Sequence, residues 1–170
     1  MSGLIGDWDK LDSILSSARI DSLLKKAGEK IGNYGASEVK KGIVSGAPGG
    51  QTFAPLSPLT IMRKGSSKPL IDKGDLLGSI SYKVVDDDKV FIGVSDKEEA
   101  IIAAVHEYGC TIPVTPKLRA YFHYQGIHLR NETVSLHIPS RKFLRPVLES
   151  EKFQKDIIKI CIEALRSVFS

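Results

Sequence analysis

Ser79-Ile80-Ser81-Tyr82-Lys83-Val84-Val85 and Val90-Phe91-Ile92-Gly93-Val94, joined by Asp86-Asp87-Asp88-Lys89, decide the fold class. Ile80, Tyr82 and Val84 alternate with Ser81 and Lys83, the two-residue period of a strand with one buried face. Three aspartates and a lysine in a row belong to a solvated turn, after which Val90 to Val94 returns as a second strand. The stretch is a β-hairpin.

Outward from it, both flanks turn helical. Lys73 to Ser79 reads as a single helical turn leading into the first strand, and Leu59 to Lys64 as a short helix. Downstream, Glu98 to His106 carries Ala and Ile at helical spacing and should end near Gly109. Further short strands are expected at Thr111 to Val114, Phe122 to Gln125 and Val134 to Ile138, with Asn131-Glu132 a turn between the last two. Ser150 caps a closing helix whose Phe153, Ile157, Ile160, Cys161, Ala164 and Val168 form one apolar face. Strands bracketed by helices without regular alternation predict an α+β fold: a small antiparallel or mixed sheet packed against a long N-terminal helix and a C-terminal helix.

The N-terminal helix is read from Leu11, Ile14, Leu15 and Ala18, then, after a phase shift near Asp21, from Ile20, Leu24, Ala27 and Ile31. Asp9 or Asp12 can cap it, and it should run to about Val44. Gly28, Gly32 and Gly35 interrupt it, each costing about 1 kcal/mol relative to Ala in a helix interior. They point either to close packing against another helix or subunit, or to a broken helix. Ser45-Gly46-Ala47-Pro48-Gly49-Gly50 ends any helix. It lacks the Lys-Ser/Thr pair of a phosphate-cradling loop. Residues 1–50 are thus a helical segment with a linker, and 51–170 the α+β core of what is overall a single domain.

A length of 170 residues suits one sizeable core. Hydrophobic content of 42% with 26% charged residues is globular and argues against disorder or a fibre. No run approaches the ~20 apolar residues of a membrane span, and the first residues lack the basic start and apolar core of a secretory signal, so synthesis in the cytoplasm and no membrane partner are expected. Cys110 and Cys161 give neither a disulfide framework nor a zinc spacing, and Cys161 reads as a small buried hydrophobe. The net charge of +4 is modest, but its distribution is uneven. From Cys110 to Arg145 the chain holds Lys117, Arg119, Arg130, Arg141, Lys142 and Arg145 against Glu132 alone.

The four histidines fit no metal. His106-Glu107 starts like a zinc-protease helix, yet position i+4 is Cys110, beyond Gly109. His123 and His128 fall on opposite faces of the expected strand. No Gly-x-Ser-x-Gly elbow occurs, so no catalytic residue or cofactor is assigned and the chain is read as non-enzymatic. The Gly, Pro and Ser content from Ser45 to Ser67, continued by Gly65-Ser66-Ser67-Lys68-Pro69, predicts a mobile surface loop carrying Arg63, Lys64 and Lys68.

Four blocks remain. They are Phe53-Ala54-Pro55-Leu56-Ser57-Pro58, Leu70-Ile71-Asp72-Lys73-Gly74-Asp75-Leu76-Leu77-Gly78-Ser79-Ile80, Val105-His106-Glu107-Tyr108-Gly109 and Ile138-Pro139-Ser140-Arg141-Lys142-Phe143-Leu144-Arg145-Pro146. In that order and spacing they resemble the phage virion-morphogenesis, or tail-completion, family, of the Mu-like head-tail joining type. The resemblance covers roughly Phe53 to Val168 and leaves Met1 to Gly50 outside it. Its motif residues Asp72, Gly74, His106, Glu107, Gly109 and Pro139 make physical sense as scaffold: glycines for unusual backbone angles, Asp72 to accept N–H bonds of the following turn, Pro139 to set a strand edge.

The resemblance implies a non-enzymatic assembly protein that completes or terminates a phage tail and joins it to the head through a homo-oligomeric ring. Its partners would be its own copies, tail-tube and head-tail connector proteins, and DNA passing the lumen unread. Its place would be the bacterial host cytoplasm during assembly, or the tail or neck of the virion. Gly28, Gly32, Gly35, Arg141, Phe143 and Arg145 are the candidate subunit contacts, although Phe143 serves a core equally well. Lys117, Arg119 and Arg130 are the candidate DNA-facing cations. The competing reading is a nucleic-acid-binding module using residues 110–145 with Tyr121, Phe122 and Tyr124 as stacking groups.

Overall fold

The computed structural model describes residues 17–86 and 89–169. The proposed caps Asp9 and Asp12, the first apolar positions of the N-terminal helix, turn residues Asp87 and Asp88, and the side chains of Ala18 and Val168 lie outside the described residues.

Helix α1 (Ser17–Ser45) is the spine of the molecule. It stops where Gly46 enters the left-handed region, φ 75°, and donates its N–H to the Ile43 carbonyl. A 3-10 turn (Pro48–Gly50) follows, then α2 (Pro58–Lys64), capped by Ser57 Oγ accepting from the Thr60 N–H and closed by left-handed Gly65. Helix α3 (Asp75–Ser79) feeds directly into the hairpin β1 (Ile80–Asp86) and β2 (Lys89–Val94), antiparallel with Ile80 opposite Val94 and Tyr82 opposite Ile92. Helix α4 (Lys97–Tyr108) opens on an Asp96 cap that accepts from the N–H groups of Glu98 and Glu99. Beyond Gly109 come β3 (Cys110–Pro113), α5 (Pro116–Tyr124), β4 (Ser135–Ile138), the one-turn α6 (Arg145–Leu148) and the closing helix α7 (Glu151–Phe169). The fold is α+β. Among the described residues its strands form two separate antiparallel pairs, β1 with β2 and β3 with β4.

Phe122 to Gln125 is not a strand. Thr115 Oγ1 accepts from the Leu118 N–H and Pro116 occupies the first helical turn, so the segment starts and continues as a helix. Two aromatics two residues apart fit either state, and the capping signal upstream decides.

The even-numbered residues of the hairpin face α1, and the glycines of that helix are the surface they rest on. A Cβ at Gly28 would lie 3.3 Å from Val90 Cγ2, and at Gly32 and Gly35 it would intrude on the Tyr82 ring and the Ile92 side chain. These glycines therefore seat the molecule's own hairpin and are covered by it, which removes them as subunit contacts. Helix α7 lies antiparallel along another side of α1. Tyr34 Oη donates to Asp156 Oδ2 at 2.6 Å, Lys152 Nζ to Glu38 Oε2 at 2.9 Å, and Tyr34 stacks on Phe153 with ring centroids 5.7 Å apart. Phe153 and Ala164 are buried on the predicted face of α7, while Cys161 is half-buried rather than sealed.

One hydrophobic cluster joins Ala36, Val39 and Ile43 of α1 to Leu76, Ile80, Ala103, Phe143 and Val147. The N-terminal helix thus supplies a large part of the core on which the strands and short helices condense.

Candidate functional site

His106 and Glu107 meet Arg141 and Phe143 at a junction of α4, the 141–145 segment and residues 54–55. Glu107 is buried, and its carboxylate accepts three backbone N–H groups: Phe143 and Leu144 on Oε2 at 2.8 and 3.1 Å, Arg145 on Oε1 at 3.1 Å. It thereby caps the entry to α6 from 36 residues away. Arg141 is also buried. Its Nε donates to the Ala54 carbonyl and one terminal nitrogen to the Pro55 carbonyl, each at 2.9 Å, and its backbone N–H reaches the His106 carbonyl at 2.6 Å. No ion pair joins Glu107 to Arg141 among the described residues; each charge is held by backbone dipoles, as buried charges require. Burial depresses the Arg141 pKa from its ordinary value.

Between these two lies Phe143, 0% exposed and in the core cluster. Phe143 and Arg141 are accordingly internal, not subunit contacts: a side chain that fills the core has no surface to offer a neighbour. Arg145 is exposed, 3.4 Å from Glu149 through its Nε.

His106 is half-buried, and its Nδ1 is shut off from solvent with no hydrogen-bond partner among the described residues. Burial first, then the nearby charges of Arg141 and Lys64, push its pKa below the usual imidazole value. Gly109 adopts φ 78°, and a Cβ there would stand 3.1 Å from the Ser140 nitrogen, so the β3–β4 pair needs glycine at its entry. Gly74 (φ 98°) precedes α3, and Pro139 follows β4 half-buried. Asp72, by contrast, is exposed and accepts none of the backbone N–H groups of its turn among the described residues, so the bonding expected of it is not made; its charge lies near Lys64.

Strands β3 and β4 with α5 form an arm. Lys117 and Arg130 are exposed on it, but Arg119 is not a free cation: one terminal nitrogen donates to the carbonyls of Leu129 and Arg130 at 3.2 and 2.9 Å, the other to Thr133 at 2.8 Å. That guanidinium holds the 129–133 loop against α5. His123 and His128, expected on opposite faces of a strand, lie side by side with ring centroids 4.8 Å apart. His137 Nδ1 is 3.2 Å from Thr111 Oγ1. Where the arm approaches α2, an open groove of about 610 Å3 is lined by Arg63, Lys64, Lys73, Asp72, Phe122 and Ile127 among others. Arg63 and Lys68 are exposed on that side, while Lys64 is half-buried with its ammonium on the Lys68 carbonyl.

Sequence reasoning missed the Arg119 clamp and the helical α5, although Thr115-Pro116 signalled the latter. It also passed over the adjacent Ile101 and Ile102, which cannot both face inward from α4.

Such an assembly of buried charges serving backbone groups is a scaffold. The model of the phage virion morphogenesis family matches residues 10–165, nearly the whole chain, and the protein belongs to that family. Curated proteins and solved structures give no match. The match takes in α1, so family likeness begins well before Phe53. No helix among the described residues is long and apolar enough to cross a membrane.

Proposed function

We propose that this protein completes or terminates a phage tail, assembling as a homo-oligomeric ring about the tail axis that meets tail-tube proteins on one side and head-tail connector proteins on the other. It is non-enzymatic, acts in the host cytoplasm during assembly, and lets DNA pass its lumen without reading sequence. The family match over residues 10–165 carries this reading. The motif residues add support, since Glu107, Arg141 and Phe143 bind backbone or core and none is presented to a substrate. Mass measurement of the purified chain across a range of concentrations tests it. A closed oligomer of one size is expected; a monomer at every concentration, with or without tail-tube protein, defeats the ring.

A second reading has its own observation. Tyr121 and Tyr124 are exposed on the α5 face that carries Lys117, with Arg130 exposed on the adjoining loop, a composition suited to stacking and phosphate contact on single-stranded nucleic acid. Salt-sensitive DNA binding by the isolated monomer is its signature.

A further inference from the structure

Among the described residues, helix α4 leaves a broad apolar face uncovered. Ala103 and Glu107 turn inward, while Ile101, Ile102 and Tyr108 are 62%, 44% and 71% exposed on the other side. The helix starts with Asp96, Glu98 and Glu99 against Lys97, so this apolar face is bordered by net negative charge. The arm carries a patch of the opposite character. Lys117, Tyr121 and Tyr124 share one face of α5 at i, i+4 and i+7, the two tyrosines 47% and 87% exposed, while Val134, 77% exposed, and Arg130 belong to the loop clasped to α5 by Arg119, with Glu132 the single acid between Cys110 and Ile138. The Arg119 clamp on three loop carbonyls fixes the surface that presents Val134 and Arg130. A pre-ordered surface loses little freedom on docking, and exposed apolar patches rimmed by charge mark contact sites.

We propose that the arm of one copy docks on the α4 face of the next, Tyr121, Tyr124 and Val134 against Ile101, Ile102 and Tyr108, with Lys117 and Arg130 directed to the acidic first turn of α4. The inference rests on the ring reading above and names its contact. Two different, complementary surfaces of one chain make a head-to-tail contact, which repeats about an axis and closes when the rotation allows. Opposite charge at the rims sets the register and disfavours arm-to-arm pairing. A nucleic-acid role for the arm is the weaker choice: Arg119 is engaged by its own backbone, which leaves two cations for phosphates, and Val134 is apolar.

The test uses the full-length chain and sedimentation across concentrations, with thermal melting as a control. Ile101→Ser and Tyr124→Ser are expected to weaken self-association about tenfold or more, the loss typical of a buried interface anchor, with melting unchanged. Reversing Glu98→Lys with Glu99→Lys, or Lys117→Glu with Arg130→Glu, should each weaken it, and all four in one chain should restore it, a rescue that a merely structural role does not give. If the wild type forms its oligomer and both serine variants match it, the ring uses another surface and this contact is wrong while the ring reading stands. A wild type that never leaves the monomer overturns both. Loss of salt-sensitive DNA binding in Tyr124→Ser with self-association intact assigns the arm to nucleic acid and overturns the contact.

Discussion

Replacing Glu107 by Ala removes the acceptor of three backbone N–H groups at once. The Phe143 N–H is fully buried, and those of Leu144 and Arg145 are partly so. An orphaned buried donor costs about 1–3 kcal/mol, and partly buried donors regain water and cost less. The three together give roughly 3–5 kcal/mol, a large share of the ~5–15 kcal/mol that holds a domain folded. For a chain of this size each kcal/mol moves the melting temperature by about 2–4 °C, so a fall on the order of 10–15 °C is expected. Glu107→Gln keeps one acceptor oxygen and turns an amide NH2 toward a donor, so it should fall between wild type and Ala. Thermal melting and denaturant titration of the three proteins measure this. A loss under about 1 kcal/mol for Ala would refute the view that this carboxylate organises the 143–145 junction.

Phe143→Ala should cost ~3–5 kcal/mol in the monomer, because the ring is fully buried in the core cluster; unchanged melting with a lost oligomer would return Phe143 to an interface. Deleting the chain through Ala36 is expected to leave an unfolded product, since it strips the hairpin of the helix face it rests on; a cooperative melt of the truncated protein would contradict that. His106 titrates lower in the folded chain than its ordinary 6.5, held down by burial, Arg141 and Lys64, so its contribution to stability is complete above pH 6.5 and lost as pH falls toward the depressed value. His106→Gln should flatten that part of the stability profile between pH 7.5 and 5.5, and an identical slope in both proteins counts against it. Limited trypsin digestion should cut first at exposed Arg63, whereas resistance there while other sites are cut means that the segment is packed.

Much of this was legible in the chain itself. The end of α1 at Ser45, the hairpin about Asp86 to Lys89, α4, and the buried stripe of α7 all follow from local period and punctuation: apolar residues at 3.6 or 2.0 spacing, closed by glycine, proline or a capping oxygen. Such signals act within a few residues, so they survive in sequence alone. They failed at Phe122 to Gln125, where a nine-residue helix is too short for its period to outvote a pair of alternating aromatics.

Partners were decided only in three dimensions. The glycine spacing on α1 showed that something approaches closely, but whether a hairpin of the same chain or a second subunit fills that groove depends on how residues some fifty positions later fold back. Arg141 reads as a surface cation in a basic segment until the chain brings Ala54 and Pro55, 87 and 86 residues earlier, under its guanidinium. Phe143, Glu107 and Arg119 were settled in the same way. Sequence records which groups must be satisfied or covered; burial and hydrogen bonding are long-range quantities, and only the packed chain determines by what.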